Sequence, residues 1–176
     1  MNTNATLRII NGVLMYDVTT EKELRYEIKT EDFKKAIVDG VVKIYDTIKI
    51  EQVWFGSSDK YTARIRKTTN AFGEKLGDEK YEHTVKHHIQ KKIDYEVTTD
   101  LTKQDYELLQ KLYSKEKYQS KLRVYVKDVS GAYNNYVVTV DIPDDNPDMC
   151  FVEFELKDAN CKETFKKPHW VKVYEK

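Results

Sequence analysis

The order of apolar and polar residues along the chain predicts a protein built mainly of β-strands. Apolar and polar residues alternate strictly from residue 23 to residue 29, and this two-residue period places successive side chains on opposite faces of a strand. Similar segments predict about eight principal strands, at residues 23–29, 48–55, 61–68, 80–89, 92–97, 121–129, 136–142 and 150–157. The polar turns that separate them indicate antiparallel neighbours.

Other patterns predict a hairpin and two helices. Asn11-Gly12 stands between two short apolar segments and favours a type I′ hairpin, because both of its residues tolerate positive φ angles. Apolar residues at helical spacing follow Thr30, which we expect to be the N-cap of a helix of roughly four turns reaching Tyr45. Thr102 is expected to cap a second helix, with Tyr106 in its apolar stripe.

The polar faces of these strands are unusually rich in charge. Charged residues make up 34% of the chain and lie within the strand segments. Arg64 and Arg66, for example, alternate with Ala63 and Ile65. If the apolar faces pack outward against the helices and the hairpin, the charged faces line an interior. The predicted fold class is therefore α+β, a closed antiparallel β-barrel of about eight strands with flanking helices.

Charges in such an interior must pair with each other or be completed by a ligand, because burial of an unpaired charge is costly. The basic residues expected there are Lys29, Arg64, Arg66, Lys86, Lys92, Lys121 and Arg123. The acidic residues expected there are Glu27, Glu51, Asp94, Glu96, Asp141, Glu153 and Glu155. An open sheet whose charged face is merely solvated is the alternative interpretation.

Length, charge and cysteine content limit the class of protein. A chain of 176 residues suits a single domain, which we divide into an N-terminal hairpin extension (1–22), a barrel (23–157) and a C-terminal tail (158–176). The formal net charge is +0, so no overall field favours DNA or an anionic membrane, and any anion site must be local. Two cysteines outside a C-x-x-C motif, with no signal peptide or membrane-length apolar segment, lead us to expect a cytoplasmic protein, monomeric or homodimeric.

Short charged motifs follow one another along the strands. They are Arg25-Tyr26-Glu27-Ile28-Lys29, Ile50-Glu51-Gln52, Arg64-Ile65-Arg66, Thr84-Val85-Lys86, Lys92-Ile93-Asp94-Tyr95-Glu96, Lys121-Leu122-Arg123, Asp141 and Glu153-Phe154-Glu155. In number and order these motifs resemble the CYTH domain. This is the fold of the triphosphate tunnel metalloenzymes, which include class IV adenylate cyclases and thiamine triphosphatases. The resemblance covers residues 23–157.

The resemblance implies a tunnel that binds a triphosphate together with Mg²⁺ or Mn²⁺. It implies catalytic roles for Glu27 and Lys29. The phosphate-binding residues that it implies are Arg64, Arg66, Lys86, Lys92, Lys121 and Arg123. The metal-binding residues that it implies are Glu27, Glu153, Glu155, Glu51, Asp94, Glu96 and Asp141. These residue types suit the chemistry, because guanidinium groups match phosphate oxygens and magnesium prefers oxygen ligands.

Three functions remain open at this point. The leading hypothesis is hydrolysis of a small-molecule triphosphate or nucleotide, and the second is a class IV-type nucleotidyl cyclase. The third is a non-catalytic binder of a phosphorylated nucleotide or of an RNA 5′-triphosphate end. Arg25 stands where the family signature has its first glutamate, with Glu23 two residues earlier on the same strand face, and this added cation favours the binder.

Overall fold

The computed structural model describes residues 8–10, 13–15, 19–73, 76–90, 93–113, 117–156 and 165–174. The strands are β1 (Arg8–Ile10), β2 (Val13–Met15), β3 (Thr19–Lys29), β4 (Val42–Ser57), β5 (Tyr61–Asn70), β6 (Glu79–Gln90), β7 (Ile93–Asp100), β8 (Lys117–Asp128), β9 (Tyr136–Pro143) and β10 (Met149–Leu156). The helices are α1 (Thr30–Val38) and α2 (Lys103–Leu112). Among the residues described, no helix combines the length and apolar character needed to span a membrane.

Strands β3 to β10 belong to one antiparallel sheet. Hydrogen-bonded neighbours follow the order β10-β3-β7-β6-β5-β4-β8-β9. β9 pairs with β10 as well as with β8, and β3 pairs with β7 over residues 19 to 22. The prediction of an α+β protein with an eight-strand antiparallel sheet and two helices is confirmed.

Helix α1 is nine residues long and shorter than predicted. Gly40 has a φ of 70°, in the left-handed region that glycine adopts without strain. The Val41 amide donates to the Ala36 carbonyl at 2.9 Å, which satisfies a carbonyl at the helix end. The chain continues directly into β4, so the prediction of a helix reaching Tyr45 is wrong.

The predictions of two helix N-caps and of a hairpin agree with the structure to different degrees. The Thr102 hydroxyl accepts a hydrogen bond from the Asp105 amide at 3.1 Å and caps α2 as predicted. Thr30 is already helical, and Lys29 occupies the N-cap position of α1, so the predicted capping role of Thr30 is wrong. β1 and β2 form the expected hairpin pairing, whereas the turn at Asn11-Gly12 lies outside the described residues.

The apolar face of the sheet is covered by α1 and by the segment 165–174. Ile28 and Val152, from the neighbouring strands β3 and β10, have no exposed surface and belong to the same cluster as Phe33 of α1 and Trp170 of the C-terminal segment. A smaller cluster lies under α2, around Tyr106. The apolar strand faces thus pack outward against the helices, as the alternation of residues predicts.

A substitution at Phe154 tests this packing. Phe154 is 1% exposed, and its ring centroid lies 5.0 Å from that of Phe165 and 6.2 Å from that of Tyr26. We expect Phe154→Ala to lower the free energy of unfolding by about 3–5 kcal/mol, because it leaves a cavity in this cluster. Urea denaturation followed by circular dichroism measures the change. Leu108→Ala, at an exposed position of α2, is the control, and a loss at Phe154 no larger than at Leu108 would contradict the packing.

Candidate functional site

The polar face of the sheet surrounds a cavity of about 660 Å³, within the usual size range of small-molecule pockets. All eight strands from β3 to β10 contribute to its wall. The basic residues that line it are Arg25, Arg64, Arg66, Lys86, Lys121 and Arg123. The acidic residues that line it are Glu23, Glu96, Asp141, Asp145, Glu153 and Glu155.

Most of the residues predicted for the interior lie together in this cavity. They are Arg64, Arg66, Lys86, Lys121, Arg123, Glu96, Asp141, Glu153 and Glu155. Lys92 lies outside the described residues. Asp94 belongs to β7, but its side chain lies outside the described part of the chain. The cavity therefore brings together cations and carboxylates that are far apart in the sequence.

Glu51 is on the opposite face of β4, so the prediction that it lines the interior is wrong. Its carboxylate accepts a hydrogen bond from the Tyr118 hydroxyl at 3.0 Å and lies 3.5 Å from the Lys67 ammonium. Its neighbour Gln52 lines the cavity instead. Because β4 carries buried apolar residues at both parities, such as Ile50 and Val53, the pattern did not identify its inner face.

Glu27 and Lys29 are not among the residues that line the cavity, which contradicts their predicted place. The Lys29 ammonium lies 5.9 Å from the ring centroid of Tyr174, in the C-terminal segment. The Glu27 carbonyl accepts a hydrogen bond from the Tyr174 amide at 2.9 Å. β3 instead contributes Glu23 and Arg25, four and two residues earlier in the strand than Glu27. The strand continues beyond the end of the cavity, and alternation alone does not say where that end lies.

Arg123 is held in a buried ion network. Its guanidinium donates to Asp141 at 2.6 and 2.7 Å and to Glu153 at 2.6 Å. Lys121 also donates to Asp141, which has no exposed surface. Burial alone would raise the pKa of Asp141, but the hydrogen bonds and charge of Arg123, together with Lys121, lower that pKa to about 2. The carboxylate is therefore charged at neutral pH, and the network stabilises this wall of the cavity.

Arg66 is in a different environment. Its Nη2 donates to the amide oxygen of Gln52 at 3.4 Å, and its Nε is buried without a hydrogen-bond partner in the structure. Burial, together with the nearby charges of Arg64 and Arg123, lowers the pKa of Arg66 to about 9. The guanidinium is still charged at neutral pH. This part of the cavity is therefore suited to bind an anion, which would offset the cost of burying that charge.

Two further ion pairs line the wall of the cavity. Lys86 lies 2.9 Å from Glu96, and although burial opposes it, the charge and hydrogen bond of Lys86 lower the pKa of Glu96. Arg25 lies 3.6 Å from Glu153 and over the ring of Phe151, at 4.1 Å from its centroid. Among the residues whose side chains are described, no three His, Cys, Asp or Glu residues form a group that could hold a metal ion.

Three neutral residues of the cavity were given no role from the sequence, although Gln52 belongs to the Ile50-Glu51-Gln52 motif. The Trp54 indole nitrogen donates to the amide oxygen of Gln119 at 3.0 Å, and the amide nitrogen of Gln52 donates to the same oxygen at 3.0 Å. The guanidinium carbon of Arg64 lies 5.1 Å from the centre of the Trp54 ring. Gln119 shares its strand face with Lys121 and Arg123, which is the signal that could have identified it, whereas the inner face of β4, which carries Gln52 and Trp54, was not evident from the sequence.

Solved structures of other proteins are similar to this chain. The chain is similar to the structure of the PH1012 protein from Pyrococcus horikoshii OT3, at 21% identity over 80% of both chains with a TM-score of 0.57. It is also similar to the PH1819 protein of that organism (19% identity, 77% of both chains, TM-score 0.57) and to a conserved hypothetical protein from Pyrococcus furiosus (22%, 80% of both chains, 0.57). The similarity shows a shared fold. No family model and no curated protein matches the chain.

Lys121 gives the cavity an expected pH dependence. Burial, with Arg123 nearby, lowers the pKa of Lys121 to about 8, against the opposing effect of Asp141 and Glu153. The ammonium is charged below this pKa and neutral above it. If the cavity binds an anion such as inorganic tripolyphosphate, we therefore expect its affinity to fall roughly tenfold as the pH rises from about 7 to about 9, because one positive charge is lost from the cavity wall.

Isothermal titration calorimetry at the two pH values measures this change. Lys121→Arg is the control, because a guanidinium stays charged throughout the range. The variant should show a flatter pH dependence than the natural protein. The same fall in both proteins would exclude Lys121 as its origin and assign it to the ligand's own protons.

Proposed function

We propose that the protein binds a small molecule containing a triphosphate in this cavity and hydrolyses it with a divalent metal ion. The observation that carries the proposal is the convergence of six basic side chains, from four strands, on one cavity. Guanidinium groups bind phosphate oxygens through paired, charge-assisted hydrogen bonds, and ammonium groups add point charges. Arg64, Arg66 and Lys86 are therefore the first candidates for contact with the phosphate chain.

We also propose that the sheet is a closed tunnel of the CYTH type. The pairing of β9 with both β8 and β10, and of β3 with β7, supports closure. The cavity position of Glu23 and Arg25 supports an alignment two residues earlier in β3, in which Glu21-Lys22-Glu23-Leu24-Arg25 corresponds to the family's E-x-E-x-K signature. In this alignment no glutamate is missing, and Arg25 replaces a lysine with another cation.

Glu23 and Glu155 are the carboxylates that best fit Mg²⁺ or Mn²⁺. They lie opposite each other in the pairing of β3 with β10, and both line the cavity. Like charges directly opposite each other destabilise a strand pair, and a cation between them removes that repulsion. Magnesium commonly takes one or two protein carboxylates and completes its coordination with water and substrate phosphates. Asp141 and Glu153 both accept hydrogen bonds from Arg123, which holds them in the wall of the cavity.

The residues of the cavity suit hydrolysis through position and charge. A bound divalent ion supplies neutralisation of the phosphate oxygens. Arg64 and Arg66 would fix the phosphate chain from β5, and Lys86 from β6, so that a water molecule meets the terminal phosphorus in line. Phosphoryl transfer depends mainly on such positioning and on stabilisation of the transferring charge. No covalent contribution from the chain is needed.

A non-catalytic binder of a phosphorylated nucleotide or RNA 5′-triphosphate end is the second candidate. It is favoured by the position of Arg25, whose guanidinium lies 3.6 Å from Glu153 and holds a positive charge beside that carboxylate. In the described part of the chain no group of three acidic or imidazole side chains stands ready for a metal. Such a site would bind phosphate without any need for a metal.

Product analysis separates these candidates. We expect orthophosphate to be released from tripolyphosphate or a nucleoside triphosphate only when magnesium or manganese is present. Pyrophosphate with a cyclic nucleotide would contradict hydrolysis and identify a cyclase. Ligand binding detected by a thermal shift, without turnover, would instead identify a binder.

The neighbours Arg66 and Lys67 provide a matched test of the binding site on one strand. Arg66 lines the cavity, whereas Lys67 lies on the outer face of β5 and pairs with Glu79 at 2.8 Å. Arg66→Ala should weaken tripolyphosphate binding by about 10- to 100-fold, through loss of charge-assisted hydrogen bonds, and Lys67→Ala should have little effect. Calorimetry on the folded variants measures both. Equal losses, or none, would refute the assignment of the cavity.

Glu155 and Glu51 provide the corresponding test for the metal. Glu155→Gln should raise the magnesium concentration needed for half-maximal turnover by about tenfold or more, because one carboxylate ligand is lost. Glu51→Gln removes the same charge from the outer face and should leave this concentration unchanged. A response to magnesium that is the same in the Glu155 variant as in the natural protein would exclude Glu155 from the metal site.

A further inference from the structure

Two half-buried arginines of the cavity are compensated in different ways. Arg123 donates to two carboxylates, those of Asp141 and Glu153. Arg66 donates to the neutral amide of Gln52, and within the described residues no carboxylate forms an ion pair with it. The Glu82 carboxylate, opposite Arg66 in the pairing of β5 with β6, lies 2.7 Å from Lys80 instead.

Gln52 lies at the centre of this arrangement. It is 2% exposed, and it stands opposite Arg66 on one side and opposite Gln119 on the other, in the strand order β5-β4-β8. Its amide oxygen accepts from Arg66 at 3.4 Å, and its amide nitrogen donates to Gln119 at 3.0 Å. One buried side chain therefore connects the cation to the neighbouring strand.

The orientation of both amides follows from the chemistry of their partners. The indole nitrogen of Trp54 can only donate, so the group of Gln119 that it contacts at 3.0 Å must be the amide oxygen. That oxygen can accept from Gln52 only if Gln52 presents its nitrogen. The oxygen of Gln52 is then directed to Arg66. Trp54 and Gln119 thus fix Gln52 as an acceptor for the guanidinium.

We propose that Gln52 is a positioning residue, which holds Arg66 in place with a neutral amide so that the full charge of the guanidinium remains available to a phosphate group. The inference rests on the proposed anion site and names the residue that makes Arg66 effective in it. An amide dipole orients a guanidinium without neutralising it. A carboxylate at the same place would form an ion pair with Arg66 and compete with the ligand.

The arrangement also has the character of a binding site rather than of a stabilising contact. A buried cation held by a neutral group is less favourable for folding than one held by a carboxylate, and the lowered pKa of Arg66 agrees with that cost. Proteins retain such locally unfavourable arrangements where function requires them. The carboxylates of Glu82 and Glu96 act on Arg66 through their charge, whereas an incoming phosphate group would contact it directly.

The test replaces the amide by a carboxylate of nearly the same shape. Gln52→Glu should weaken the binding of inorganic tripolyphosphate at least about tenfold, measured by calorimetry without metal. Gln119→Glu is the matched control. It adds the same charge to the same wall, but Gln119 has its hydrogen bonds with Gln52 and Trp54 and none with Arg66, so its effect should be clearly smaller.

A double-mutant cycle shows whether Gln52 acts through Arg66. In the Arg66→Ala background, Gln52→Glu should cost little further affinity. Unchanged binding by Gln52→Glu, an equal loss in Gln119→Glu, or the same loss in both backgrounds would each overturn the inference while leaving the anion site in place. Failure of the natural protein to bind tripolyphosphate would overturn the anion site itself and this role of Gln52 with it. Circular dichroism confirms that each variant is folded.

Discussion

A charge that is removed from water must be compensated by an opposite charge, by hydrogen bonds or by a ligand, and this requirement governs the interior of the sheet. Asp141 is completely buried, and it is compensated by Arg123 and Lys121 from the neighbouring strand β8. Within the residues that the structure describes, Arg66 is held by the amide of Gln52, without an ion pair to a carboxylate. One wall of the cavity is therefore complete without a ligand, whereas the wall around Arg66 gains most from an anion. This difference indicates that an anion would bind on the Arg66 side of the cavity.

Much of the cavity was predictable because the period of a strand is two residues. Once one residue of a strand faces inward, every second residue on the same stretch does so as well. Arg64 and Arg66 in β5, and Lys121 and Arg123 in β8, were assigned correctly for this reason. Their strands alternate cleanly between charged and apolar residues, so only one choice of inner face leaves the apolar side chains against the helices.

The wrong predictions show which features the alternation of residues along a strand does not determine. β4 is apolar on both faces, so the pattern chose Glu51 although Gln52 lines the cavity. In β3 the inner face was predicted correctly, but Glu27 lies beyond the end of the cavity. The extent of the cavity along a strand depends on how the neighbouring strands are paired. Helix α1 was extended too far because Gly40 was not recognised as its end. The role proposed for Gln52 could not be predicted from the sequence, since it depends on the contacts that Gln52 makes with two other strands.

If the proposed metal and triphosphate both bind in this cavity, its arrangement of charges implies that they bind cooperatively. Glu153 already accepts a hydrogen bond from Arg123 and lies near Arg25, so a metal ion there would only replace cations that are present. Glu23 and Glu155 supply two carboxylates, which is less than a complete coordination shell for magnesium. Phosphate oxygens would complete that shell and at the same time compensate Arg66. Since binding free energies are reciprocal, each ligand would then increase the affinity for the other by the same factor.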